Sequence, residues 1–294
     1  DLNSLYPNII VQWNMSPETL LTTPADCLPS GVDHYLNAFD GTDPIHPAQR
    51  ERNNAVASNG SIYSKKVDGV IPNIIIEYYD ERRSVKKQML SAEQSYQKEK
   101  TFELEKEINT LHNQQMAIKI LMNSLYGAMG NRYFKYYDLR IAEGVTLTGQ
   151  MVIQWAEKAI NKEMNKLLKT EEDYVLAIDT DSVYINMSAL VRKLNPNDPV
   201  KFLDKICREH FEPKLAESYD DLFNKMNCHK PRMEMAREVI ADRGIWTAKK
   251  RYILNVHNSE GVQYDEPKLK MMGIEAIKSS TPEVVRNKFK EAFR

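Results

Sequence analysis

The densest chemistry in this sequence is Asp179-Thr180-Asp181. Two carboxylates one residue apart, between apolar runs on either side, are costly to keep ionised unless a cation or a donor compensates them. At a strand-to-strand turn they can converge on a hard divalent cation. A surface Asp-rich turn fits the tripeptide equally well, and so does the D-x-D of a sugar-nucleotide transferase, which also holds a metal. Asp1 offers a third carboxylate on a strand-like segment, though taken alone it reads as a cap or turn residue. Lys119, Asn123 and Tyr126-Gly127 recur at helical spacing, so one helix face carries all of them. Arg82 and Lys86 are likewise four apart. Two helices presenting Arg and Lys to a carboxylate–metal centre meet what a nucleoside triphosphate needs. The alternative is a solvated face paired to Glu77 or Glu81, and for Arg83, Lys87 and the charges of 98–107 we read it that way.

These residues need elements to carry them. Ile9-Ile10-Val11 after the Pro7-Asn8 break reads as β-rich, and 24–69 as loops over short elements, punctuated by Pro24, Pro29, Gly31, Gly41, Pro44 and Pro47. Half the residues from Asp80 to Glu107 are charged, with no Gly or Pro, which predicts a long exposed helix. A second helix is predicted from about Asn113 to Gly127, giving an antiparallel helical hairpin that projects from a body. A third spans roughly Leu139 to Leu168 and is well buried, because Ile141, Val145, Met151, Ile153, Trp155 and Ile160 exceed a single stripe. Tyr174 to Met187 reads as strand, turn, strand. A helix over 200–219 follows the Pro196–Pro199 linker. Lys249-Lys250-Arg251-Tyr252 leads into a strand over Ile253 to Val256, a hairpin turns at Ser259-Glu260-Gly261, and a last helix begins after Thr281-Pro282.

Composition narrows the class. The 294 residues suffice for a sizeable core, and 40 basic against 41 acidic residues exclude a wholesale basic protein. Any nucleic-acid contact must therefore come from local clusters. The apolar content excludes a disordered tail, and no apolar run reaches the roughly 18 residues of a membrane span. Cys27, Cys207 and Cys228 are odd in number and far apart, which speaks against a disulfide framework or thiolate zinc and for a reducing compartment. No signal-peptide pattern opens the chain, and its start on Asp1, without Met, is read as a piece of something longer.

Four motifs in order give the sequence a resemblance. Asp1-Leu2-Asn3-Ser4-Leu5-Tyr6-Pro7-Asn8-Ile9-Ile10 is similar to DxxSLYPSII, Lys119 to Gly127 to the KxxxNSxYG helix, Asp179 to Ser182 to DTDS, and Lys249 to Tyr252 to KKRY. Together they resemble the family B (polymerase alpha-like) DNA polymerases along the whole chain. The stretch from Glu266 to Pro282 is similar to tailed-phage (myovirus) replicative enzymes in particular. The resemblance implies an α+β fold: a palm with an antiparallel sheet over 1–70 and 131–252, helical-hairpin fingers over 71–130, and the start of a thumb over 253–294. It implies template-directed DNA synthesis in viral replication, with two Mg²⁺ ions about 3.5–4 Å apart. The ions would be held by Asp1, Asp181 and the Leu2 carbonyl, with Asp179 in a lesser role. Arg82, Lys119 and Lys86 would grip the triphosphate, and Lys119 would also protonate the leaving pyrophosphate. Amides of Ser4 and Leu5 would bind phosphate, Tyr6 would stack under the sugar and exclude a 2′-hydroxyl, and Asn123 and Tyr126 would line the nascent pair. Lys249, Lys250, Arg251 and Tyr252 would meet primer-template DNA, Lys250 near the primer 3′ end. Glu238 is either a supporting carboxylate or a core residue. The same resemblance implies a sliding clamp and other replisome proteins as partners, and the cytoplasm of an infected bacterium as the location.

The sequence also departs from the family. Ala177-Ile178 stands where an aromatic and a glycine usually precede DTDS, and Asn3 and Asn8 replace commoner Thr and Ser. No metal ligand is lost, so the geometry near the primer terminus is what changes. Exonuclease carboxylate motifs, expected before Asp1, and most of a thumb are missing from this stretch. A DNA-binding piece inert without those segments is the second reading, and the sugar-nucleotide transferase the third. Mere binding needs no triphosphate grip, and a sugar transferase has no need of the Lys119 helix.

Overall fold

The structure is a computed structural model, and it describes residues 1–21, 31–41 and 53–293. Cys27, Pro24, Pro29, Pro44 and Pro47 lie outside the described residues. In chain order the elements are α1 (Leu5–Gln12), β1 (Leu20–Leu21), α2 (Val32–Leu36), β2 (Ala55–Val56), β3 (Ile62–Tyr63), α3 (Val70–Lys98), α4 (Phe102–Met129), α5 (Leu139–Leu168), β4 (Val175–Asp179), β5 (Ser182–Ile185), α6 (Ser188–Leu194), α7 (Pro199–Ile206), α8 (Glu212–Lys225), β6 (Val239–Ala248), β7 (Arg251–Ser259), β8 (Val262–Met272) and α9 (Glu283–Ala292). The fold is thus mixed, helices with antiparallel sheets, as an α+β assignment requires. No helix among the described residues is long and apolar enough to cross a membrane. The chain divides into two compact units: Asp1–Leu2 with Ala156–Glu217 and Glu234–Arg294, and Asn3–Trp155 with Ser218–Met233.

In the unit containing Asn3–Trp155, Ile9-Ile10-Val11 is helical rather than extended. These three side chains and Trp13 are all buried, and a short apolar run buried all round carries no period that separates strand from helix. Pro7 is tolerated because it sits in the first turn, where a missing N–H costs nothing. β1, β3 and β2 form a small antiparallel sheet in that order. The hairpin α3–α4 reverses at Glu99–Thr101, inside the stretch expected to be one helix. Glu99 is extended, and Thr101 caps α4 by accepting from the Leu104 N–H at 3.3 Å. The reversal lets Val85 and Met89 of α3 pack on Leu111 and Ile118 of α4, with Tyr78 and Ile108 at the margins. Residues spaced three and four apart build that seam. α5 has the expected bounds, and Asp138 caps it through the Arg140 N–H at 2.9 Å.

In the other unit, β4 and β5 pair antiparallel with Asp179 opposite Ser182, so the turn is the two residues Thr180-Asp181. β6, β7 and β8 form a three-stranded antiparallel meander. Glu260 and Gly261 connect β7 to β8, both at positive φ (47° and 88°), as a type I′ turn demands. One face of β7 buries Tyr252, Leu254 and Val256 and receives Tyr184 from β5. A Cβ on Gly244 would lie 2.6 Å from the Trp246 ring, so only glycine leaves room for that ring. The helix expected over 200–219 is α7 and α8 joined by a π-helical turn, Cys207–Phe211.

Candidate active site

The acidic turn lies in the unit of β4 to β8. Thr180 holds φ 58°, a left-handed conformation that a β-branched residue adopts only under constraint. The Asp181 N–H reaches back to the Asp179 carbonyl at 2.7 Å. Asp1 arrives from the far end of the sequence: the Leu2 N–H donates to the Asp181 carbonyl at 2.8 Å, and the Ser182 hydroxyl donates to the Asp1 carboxylate at 2.9 Å. Leu2 also bridges Met235, and the Ala236 N–H donates to the Asp1 carbonyl at 3.1 Å. Asp1 and Asp181 are therefore fixed side by side through their backbones.

The charges there are unevenly compensated. Lys250 lies 3.6 Å from Asp179, and Lys270 2.7 Å from Glu238. Among the described residues no side-chain cation pairs with Asp1 or Asp181. Burial pushes the Asp181 carboxyl above its ordinary range, and the neighbouring Asp179 and Glu238 push the same way. Half-buried carboxylates that repel one another suit a divalent cation. Among the described residues no three His, Cys, Asp or Glu side chains form a cage, so two carboxylates would hold a metal only with help from a carbonyl such as that of Leu2, from water or from a substrate.

The basic segment splits by role. Lys249 and Lys250 occupy the β6–β7 turn. Arg251 is gripped by both oxygens of Glu275 at 2.6 and 2.7 Å, and Tyr252 is a core residue against Tyr184 and Trp246. That leaves the two lysines as its accessible cations.

The other unit holds the remaining candidates. Ser4 is left-handed (φ 47°, ψ 56°) at the start of α1, and the first N–H groups of a helix have no intrahelical partner, so those after Ser4 can meet an anion. The Tyr6 ring lies 4.8 Å from the Tyr126 ring, and a Cβ on Gly149 would come within 3.1 Å of Tyr6. The Asn3 amide donates to the Tyr79 hydroxyl at 2.5 Å. The first motif and the Lys119 helix thus meet at the base of the hairpin. Arg82 falls in the seam of α3, half-buried with its Nε lacking an acceptor. Lys86, Lys119 and Asn123 are exposed. Arg82 and Lys119 are nearly equidistant from the turn at 99–101, hence level with one another across the antiparallel pair. Neither they nor Lys86 ion-pair with a described residue, so the anticipated Glu77 and Glu81 pairs are not formed. Arg83 and Lys87 ion-pair with no described residue either, so the lack of such a pair does not by itself single out Arg82.

Sequence reasoning missed Ser182 as the donor to Asp1, Tyr79 as the partner of Asn3, and Gly149 as the space beside Tyr6. Only Gly149, a glycine within an apolar helical run, carried a local signal.

A fold of this kind with carboxylates at a β-turn and cations on a helical hairpin agrees with the comparisons to known proteins. The profile of DNA polymerase family B matches residues 1–293, and the chain belongs to that family. It is 36% identical to the DNA-directed DNA polymerase of Escherichia phage RB69 and 33% identical to that of Enterobacteria phage T4, in both cases over 100% of this chain and 38% of the relative. DNA polymerase 1 of Pyrococcus abyssi (strain GE5 / Orsay) is 26% identical over 97% of this chain and 28% of its own. The chain spans about two-fifths of the length of the phage relatives.

Proposed function

We propose that this chain carries the polymerising site of a phage replicative DNA polymerase, extending a primer 3′-hydroxyl by one deoxynucleotide and releasing pyrophosphate in an infected bacterial host. The observation that carries the reading is the pinning of Asp1 beside Asp181, 180 positions away in the sequence, where two under-compensated carboxylates suit a divalent cation. Residues 1–70 and 131–252 are assigned to the palm, 71–130 to the fingers, and 253–294 to the start of the thumb.

Two Mg²⁺ ions held by Asp1, Asp181 and the Leu2 carbonyl would supply Lewis acidity at the attacked phosphate and lower the pKa of the primer hydroxyl. The protein's own part is positioning and charge. Arg82, Lys86 and Lys119 bind the triphosphate oxygens, and Lys119 gives a proton to the departing pyrophosphate. The amides of Ser4, which caps α1, and of Leu5, its first residue, are offered to phosphate. Tyr6, wedged between Tyr126 and Gly149, supports the sugar and leaves no space for a 2′-hydroxyl, while Asn123 and Tyr126 face the nascent pair. Lys250 lies on Asp179, which frees Asp181 as the principal ligand of the turn, and Lys249 and Lys250 contact the primer-template. A sliding clamp and other replisome proteins would be met through other segments of the full polymerase.

Primer extension tests the reading. The polymerase containing this segment should extend a primer-template with deoxynucleotides and Mg²⁺, and Asp181→Ala should lower extension at least about a thousandfold, roughly 4 kcal/mol of barrier, while DNA affinity changes less than about threefold. Retained extension by Asp181→Ala would refute it.

A further inference from the structure

The segment that pins Asp1 is itself clamped. The Arg237 side chain is only 12% exposed and donates to the Asn258 side chain at 2.7 Å, to the Glu238 carbonyl at 3.3 Å, and to Asp204. Its backbone N–H donates to the Glu212 carboxylate at 2.9 Å. On the Asp1 side, the neighbouring Ala236 N–H donates to the Asp1 carbonyl, and Met235 pairs with Leu2. Three groups, one each from α7, α8 and β7, therefore converge on one residue, next to the two that hold Asp1.

The helices can do this only because of the π turn. Asp204 and Glu212 are eight residues apart, which on an uninterrupted α-helix points them about 80° away from each other. The extra residue absorbed by the π turn at Cys207–Phe211 brings them back to within about 20°, on the same face. Both carboxylates can then reach Arg237, one at its guanidinium and the other at its amide. The guanidinium's planar fork meets Asp204 and Asn258 at once, which a lysine ammonium on the same stem does not reproduce.

We propose that Arg237, clamped by Asp204, Glu212 and Asn258 across the π turn, is a positioning residue that holds the Met235-Ala236 segment and, through it, the Asp1 carboxylate beside Asp181. The proposal rests on the reading of Asp1 as a metal ligand. A buried network that served stability alone would lower the melting temperature without selectively loosening Asp1.

Two variants test this in the full chain: Arg237→Lys and Arg237→Met. Hydrogen exchange is followed at the Leu2 and Ala236 amides, with Leu254 in the β7 core as reference, and Mn²⁺ affinity is followed by its electron paramagnetic resonance signal. In variants that stay folded, the two amides should exchange at least about tenfold faster with Leu254 unchanged, Mn²⁺ should bind about tenfold more weakly, and kcat should fall with primer-template KM unaltered. Unchanged Leu2 and Ala236 exchange in folded Arg237→Lys and Arg237→Met would overturn the proposal. So would faster exchange without a change in Mn²⁺ affinity. Asp1→Asn separates the two failures: if it leaves Mn²⁺ binding intact, the metal reading fails and the proposal with it, whereas loss in Asp1→Asn but none in the Arg237 variants condemns the clamp alone.

Discussion

Tyr6 touches the Tyr126 ring on one side and faces the bare Cα of Gly149 on another. Its phenol ring therefore has little freedom to retreat from a bulkier sugar. Tyr6→Ala should lower discrimination against ribonucleotides at least about tenfold, roughly 1.4 kcal/mol, measured as the ratio of kcat/KM for the two sugars; an unaltered ratio removes Tyr6 as the gate. Lys119 is exposed and ion-pairs with no described residue, so truncating it removes one charge-assisted contact to the nucleotide worth about 1.5–3 kcal/mol. Lys119→Ala should raise the nucleotide KM or lower kcat by about ten- to a hundredfold while DNA affinity holds, and unchanged nucleotide kinetics would discount it. The types of these residues were legible in the sequence because the motifs that carry them are local. Their partners were not: the Ser182 hydroxyl on Asp1, Glu275 on Arg251 and Tyr79 on Asn3 pair residues distant in sequence, and no spacing rule reaches that far. Tyr252 shows the cost of reading a motif whole, since its ring belongs to the core and not to the charged surface of the run.

Among the elements, α5 was legible because its apolar residues recur through an uninterrupted run and exceed a single stripe. Asp138 both caps the helix and is gripped by Arg140 at 2.7 Å. That grip, first through the guanidinium hydrogen bonds, holds the carboxyl below its ordinary 3.8. Its stabilisation is then fully present above that value and is lost as pH falls through the lowered one. Asp138→Ala should cost about 1 kcal/mol at neutral pH and flatten the acid limb of the stability curve below about pH 4, as read by denaturant melts. An unchanged acid limb would remove this ion pair from the account. The hairpin reversal was illegible because half the residues on both sides are charged, and the apolar seam shows only once α3 and α4 are laid together. Ile118→Ala, in that seam, should cost about 2–5 kcal/mol and raise hydrogen exchange in α3 as well as α4; protection lost from α4 alone would mean that the two helices are not one cooperative element. α1 was misread as strand because burial on all sides erases the periodicity that tells the two apart.

For the molecule as a whole, the motifs are dealt out between two compact units, and the chain passes from one to the other between Leu2 and Asn3, inside the first motif. The acidic turn, Asp1 and the basic β6–β7 turn belong to one unit, while Tyr6, Arg82, Lys119 and Tyr126 belong to the other. Family membership over the full chain was readable from four motifs in order, because each constrains chemistry and backbone together. The division into units was not readable, since it depends on which distant segments pack. The central claim is that Asp1 and Asp181, 180 positions apart in the sequence, make one metal site. A double-mutant cycle in Mn²⁺ affinity tests it most directly, using Asp1→Asn, Asp181→Asn and the pair. Each single substitution is predicted to weaken binding at least about tenfold, with the double variant hardly weaker than either, because one ligand alone holds little. Independent, additive losses, or a single substitution without effect, would contradict the account.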